Sequence, residues 1–145
     1  MHRTGHVGIN VADLTRSVDF YTAALGLDVI GRSDEEGRRY AFVGTGGEPT
    51  LTLWEQAGRP FDAGAAGLHH LSFQADDLEA VHATEERLRA MGATMVHDGV
   101  VPHAEGATSG GIFFLDPDGA RLEVFAAHGV SGVAPSEDAP TCGFF

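Results

Sequence analysis

One stretch of this chain occurs twice. His6-Val7-Gly8-Ile9-Asn10-Val11-Ala12-Asp13-Leu14 returns sixty-four residues later as His70-Leu71-Ser72-Phe73-Gln74-Ala75-Asp76-Asp77-Leu78. Each copy opens on histidine, alternates apolar with small or polar residues, and runs through Asp-Leu into a helical pattern. A repeat of this kind sets the architecture before any local propensity is weighed. The chain is built from two like modules, and each carries a histidine at the same point.

The first module reads in order. His6 to Val11 has the period-two alternation of a strand, with Val7, Ile9 and Val11 on one face and His6, Gly8 and Asn10 on the other. Asp13 is placed as an N-cap, Leu14, Val18, Tyr21 and Leu25 recur at helical spacing, and Gly26 stops the helix. Leu27 to Arg32, Arg38 to Val43 and Thr50 to Trp54 read as strands separated by turn residues. The second module repeats the order. It has a strand over Leu68 to Ala75, a helix capped by Asp77 and stopped at Gly92, and a strand over Ala93 to His97. A loop from Gly99 to Gly111 follows, then strands over Ile112 to Leu115 and Arg121 to Phe125.

The expected fold is α+β: two βαβββ modules forming a curled, half-open cup of mixed β-sheet, with the helices on its outer face. The expected organisation is a single domain over 1–145. Residues 5–55 form the first module, 56–67 a Gly- and Pro-containing linker and 68–127 the second module. The tail over 129–145 is expected to be either a flexible terminus or an element whose Phe144 and Phe145 dock on the body, a partner subunit or the pocket rim.

Composition removes several function classes. At a net charge of −12 the surface repels a polyanion, so nucleic acid is not an expected partner. All nine Lys-or-Arg positions are arginine, which excludes a lysine Schiff base and a P-loop lysine. No apolar run is long enough to span a bilayer and no signal-peptide core follows Met1, so a cytoplasmic location is the default. The single cysteine, Cys142, has no partner in the chain for a disulfide.

Strand parity brings the chemistry together. Aligning Leu51-Thr52-Leu53 with Leu122-Glu123-Val124 makes Thr52 and Glu123 equivalent. Both then face the concave side with His6 and His70. Two neutral imidazoles and a carboxylate suit a divalent transition metal (Fe, Mn, Ni or Zn) and leave positions open for substrate. His103 lies in the long loop that could overhang the pocket and is a candidate acid/base group, Glu123 being the other catalytic candidate. His69 is expected to point away from His70. Asn10, Ser72, Thr52, Trp54, Tyr40, Phe42, Arg121 and Phe125 share the parity of the concave face and are candidate substrate contacts.

Residues 5–127 resemble the vicinal oxygen chelate superfamily, which includes glyoxalase I, extradiol dioxygenases, fosfomycin-resistance thiol transferases and bleomycin-resistance proteins; the absence of lysine counts against the fosfomycin enzymes. The resemblance rests on the His6 stretch, Phe20-Tyr21 leading to Leu25-Gly26, His70-Leu71-Ser72-Phe73, and Asp116-Pro117-Asp118-Gly119 followed by Leu122-Glu123. It implies His6, His70 and Glu123 as metal ligands, and a homodimer whose sites form between chains. It also implies Lewis-acid chemistry on adjacent oxygens of a small substrate, either glyoxalase-like (lyase or isomerase) or extradiol dioxygenase-like. The alternative it implies is a non-catalytic drug-binding protein. Glyoxalase I usually carries a fourth protein ligand at the position of Thr52, and threonine departs from that pattern.

Overall fold

A computed structural model describes residues 1–145. The chain divides into two compact units, Met1–Phe61 and Asp62–Phe145, each described by itself below. The division falls inside the glycine-rich segment between the modules. No helix is long and apolar enough to cross a membrane.

The first unit contains β1 (Val7–Asn10), α1 (Leu14–Leu25), β2 (Asp28–Ser33), β3 (Tyr40–Thr45) and β4 (Glu48–Trp54). The strands form a mixed sheet in the order β1-β4-β3-β2, with β1 parallel to β4 and the other pairs antiparallel. Asp13 caps α1 by accepting from the Arg16 N–H at 2.9 Å, and Gly26, at φ 67°, ends it in the left-handed conformation. The α1 face that packs on β3 and β4 is Leu14, Val18, Tyr21 and Ala24, all buried. They meet Leu51 and Leu53, which are fully buried from the sheet side. The β3–β4 hairpin is tighter than the sequence suggests. Its strands run up to Gly46 and Gly47, whose φ values of 63° and 84° fit a two-residue turn.

The second unit repeats this plan. It contains β5 (Leu71–Gln74), α2 (Leu78–Ala90), β6 (Val101–Pro102), β7 (Gly110–Leu115) and β8 (Arg121–Ala126), with sheet order β5-β8-β7-β6. Asp77 caps α2 through the Ala80 N–H at 2.8 Å. Glu79 in the first turn and Arg87 and Arg89 in the last complement the helix dipole. Val81 and Leu88 of α2 pack with Ile112, Phe114 and Leu122 in a dry core. The Asp116-Pro117-Asp118-Gly119 turn is held by buried Asp116, whose Oδ1 accepts from the N–H groups of Asp118 at 2.9 Å and Ala120 at 2.8 Å.

One expectation for this unit is corrected, and one left open is decided. Ala93 to His97 is not a strand. It makes one isolated bridge, Met95 with Phe114, and hydrogen bonds from Leu115 N–H to Thr94 O and from Val96 N–H to Phe113 O. The chain then bends away, and the remaining edge of β7 is taken by Val101–Pro102, which lie within the expected loop. A proline lacks the N–H that a central strand needs and is tolerated at this edge. The segment after β8 is likewise no loose terminus. Val130, Ala134 and Thr141 are buried, and a short 3-10 helix spans Thr141–Gly143.

Candidate metal centre

The register of the two sheets makes the repeat explicit. Gly8 lies opposite Thr52 and Ser72 lies opposite Glu123, each across a parallel pair. Thr52 and Glu123 are therefore equivalent, and His6 and His70 each stand two residues before the matched position. Both histidines precede their strands, because β1 begins at Val7 and β5 at Leu71.

In the second unit the chemistry gathers on Glu123, whose residue is only 2% exposed. Its Oε1 is 2.5 Å from His103 Nε2. Its Oε2 faces His70 Nε2 at 3.8 Å. His103 Nδ1 in turn meets the Ser109 hydroxyl at 3.0 Å. A His103 tautomer with its proton on Nε2 donates to Glu123 and accepts from Ser109. The hydroxyl serves either tautomer, since it both donates and accepts. Phe125, from the same face of β8, packs against the His103 ring at 5.2 Å. The long loop thus delivers His103 onto the carboxylate that the sequence places in the site.

His69 is a correction. It turns toward His70, with the two Nδ1 atoms 2.9 Å apart. Period-two alternation fails here because both residues lie ahead of β5 and are free of strand geometry. The contact needs one donor and one acceptor, so it couples the tautomers of the two rings. With the proton of His70 on Nδ1, its Nε2 presents a lone pair toward Glu123. Burial holds His70 below the usual histidine range. Glu123 pulls the other way, while His69 and Arg121 add to the lowering. The net lowering favours the neutral imidazole, the form that ligates a metal.

The other expected residues fall into place by unit. Ser72 is exposed on the Glu123 face. Arg121 sets its guanidinium 5.5 Å from the Phe145 ring centre. In the first unit, Thr52 is buried and accepts the Trp54 indole N–H at 3.1 Å. Tyr40, Phe42 and Trp54 form one aromatic cluster, with ring centres 5.2–6.1 Å apart. Asn10 pairs with Trp54 across β1 and β4 and is exposed. His6 is exposed at the mouth of β1. Sequence reasoning missed Ser109, Phe113 and the role of His69. Phe113 was accessible in principle, because it lies opposite Glu123 and so shares its face.

No three His, Cys, Asp or Glu side chains are drawn together as a ready-made metal site. The donors still fit one. A carboxylate with one oxygen held by an imidazole and the other turned toward a neutral histidine is an oriented ligand pair. Buried without a cation it is costly, and a divalent ion relieves that cost.

The sequence profile of the Glyoxalase/Bleomycin resistance protein/Dioxygenase superfamily matches residues 3–124. The chain belongs to this superfamily. Among related proteins, a lactoylglutathione lyase from Neisseria meningitidis is 33% identical over 125 residues, covering 81% of this chain and 86% of the relative. A glyoxylase/bleomycin resistance protein/dioxygenase domain from Frankia sp. EAN1pec superposes with a TM-score of 0.74 at 27% identity, over 91% of this chain and 95% of that one. A fosfomycin resistance protein, FosX, from Listeria monocytogenes, solved with Mn(II) and sulfate, shares the fold. Its TM-score is 0.65 at 22% identity, over 87% and 93% of the two chains. The match takes in β1 to β7 and β8 as far as Val124, so His6, His70 and Glu123 all lie within it.

Proposed function

We propose that this chain is a metal-dependent enzyme of the lyase or isomerase kind. His6, His70 and Glu123 hold one divalent ion (Fe, Mn, Ni or Zn), and a small substrate with two adjacent oxygens binds at the open positions. The observation that carries this reading is the buried Glu123 carboxylate set between His70 and His103. The lactoylglutathione lyase relatives support the reaction type, and the Mn(II) in the FosX structure supports the metal class. When bound, the ion supplies Lewis-acid stabilisation of charge developing on the chelated oxygens.

The chain's own residues do the rest. His69 accepts from His70 Nδ1–H in the tautomer that leaves the His70 Nε2 lone pair facing the site. His103 holds Oε1 of Glu123 and leaves Oε2 free. In the His103 tautomer with its proton on Nδ1, donated to Ser109, Nε2 takes a proton from Glu123 across 2.5 Å and leaves an imidazolium. Trp54, Tyr40 and Phe42 offer apolar surface to a substrate, and Asn10, Ser72 and Arg121 offer polar contacts. A homodimer is part of the proposal: His6 comes from one subunit, and His70 with Glu123 from the other.

A second reading has one observation in its favour. The Thr52 hydroxyl is buried and engaged by Trp54, which leaves this position without a fourth ligand of the glyoxalase I type. Three-ligand, extradiol-like chemistry fits that arrangement. Anaerobic reconstitution with Fe(II), Mn, Ni and Zn in parallel separates the two. Hemithioacetal turnover supports the lyase reading, and catechol-dependent O₂ uptake confined to the Fe(II) form supports the dioxygenase reading. Failure of every metal to bind, with His70→Ala unchanged in affinity for a cationic drug, overturns both in favour of a binding protein.

A further inference from the structure

The segment after β8 runs back along the loop that carries His103 and is tied to it repeatedly. Val130 N–H donates to Thr108 O at 2.9 Å, and Thr141 N–H donates to His103 O at 2.8 Å. Ala134 N–H donates to Glu105 Oε2 at 3.3 Å. Thr141 adds a buried bond from its hydroxyl to Pro102 O at 2.6 Å. Two phenylalanines follow this anchor, and they are treated differently. Phe144 is 63% exposed. Phe145 turns inward against the Glu123 face of the sheet. Its ring stands edge-on to Phe113 at 5.3 Å and tilted over His70 at 5.6 Å, under the Arg121 guanidinium at 5.5 Å. The His69 ring closes a further side at 6.3 Å.

We propose that Phe145 is a specificity-determining wall of the site, an aromatic ring fixed beside His70 that limits the bulk of the ligand group lying against that histidine. The inference rests on the metal reading for the identity of the site, but the placement of the ring does not. A ring with an aromatic floor, a cation over its face and an anchor four residues away is built in, and it fills room a substrate would otherwise use. The strap also hangs on the backbone of Pro102 and His103. The same short piece of chain therefore presents His103 to Glu123 and seats the wall. The ligand class that follows is a compact chelator with adjacent oxygens, small on the His70 side.

The test uses Phe145→Ala and Phe145→Trp in the full chain, with two independent readouts. In metal-free protein, diethyl pyrocarbonate labelling is followed at each histidine by peptide mass spectrometry. His70 in Phe145→Ala is modified several-fold faster than in the parent, while exposed His82 and His128 are unchanged and Phe145→Trp stays at or below the parent rate. In Co(II)-loaded protein, acetohydroxamate and 4-nitrocatechol are titrated as small and bulky chelators. Phe145→Ala shifts the preference toward 4-nitrocatechol by about tenfold or more, the scale that a few atoms of pocket room carry. Phe145→Trp shifts it the other way. Equal His70 labelling in parent and Phe145→Ala, or an unchanged preference between the chelators, overturns the proposal. If Co(II) fails to bind, the metal reading falls on its own, and the labelling rates still decide whether Phe145 walls off His70.

Discussion

Glu123→Gln keeps the shape of the side chain but removes its charge and one of its two acceptor oxygens. In the parent, Oε1 is committed to His103 at 2.5 Å and Oε2 faces His70 at 3.8 Å. The residue is 2% exposed, so water does not replace what is lost. An amide oxygen can still meet His103, which leaves the NH₂ group turned toward His70, with donors where a cation needs a lone pair. Loss of an orienting neighbour typically costs 10–100-fold in metal affinity. Removing the ligand itself should cost more than about 100-fold, or roughly 2.8 kcal/mol at 1.4 kcal/mol per decade. His103→Ala leaves Glu123 in place and removes only its orienting partner, so it falls in the 10–100-fold range, about 1.4–2.8 kcal/mol. The expected order of affinity is parent, then His103→Ala, then Glu123→Gln. Competition against a chromogenic chelator measures all three. Parent-like affinity in Glu123→Gln, or a larger loss in His103→Ala, refutes this assignment of the two roles.

Further outcomes follow from other parts of the molecule. If sites form between subunits, mixing His6→Ala with His70→Ala chains restores metal binding in the heterodimer, whereas two intact-chain sites leave the mixture as dead as either variant. His97 lies edge-on to Phe113 with a buried, unpartnered Nε2, and burial lowers its pKa from 6.5. The unfolded chain therefore binds the proton more readily. Stability is lost as pH falls below about 6.5 toward the folded value, and urea unfolding of His97→Phe should show a shallower loss over that window. Asp116→Ala removes two hydrogen bonds to turn N–H groups, and the Ala120 N–H is left buried without a partner. The substitution should destabilise by about 1–3 kcal/mol in chemical denaturation without changing metal affinity in the folded protein.

Much of the site was legible because it depends on short periods. The Asp13 and Asp77 caps, the Gly26 stop and the Thr52/Glu123 correspondence follow from local spacing, and the sheet registers reproduce them. What escaped depends on where a period begins or on distant contacts. Alternation points His69 away from His70, yet β5 starts two residues later and the two imidazoles meet. Val101–Pro102 is too short to read as a strand, and it exists only because the edge of β7 is vacant beyond Met95. The docking of Phe145 joins positions far apart in the chain, and no local pattern encodes which of two adjacent phenylalanines turns inward. His103 lay between these cases. A histidine in a loop is ambiguous until the loop is seen to end on Glu123.

The most direct test of the central claim is a Co(II) titration of the purified chain, followed by visible absorption. The account predicts saturation near one equivalent per chain in the parent, and loss of that signal in His6→Ala, His70→Ala and Glu123→Gln alike. A parent that takes up no Co(II), or one that retains the full signal after any of these three substitutions, contradicts it.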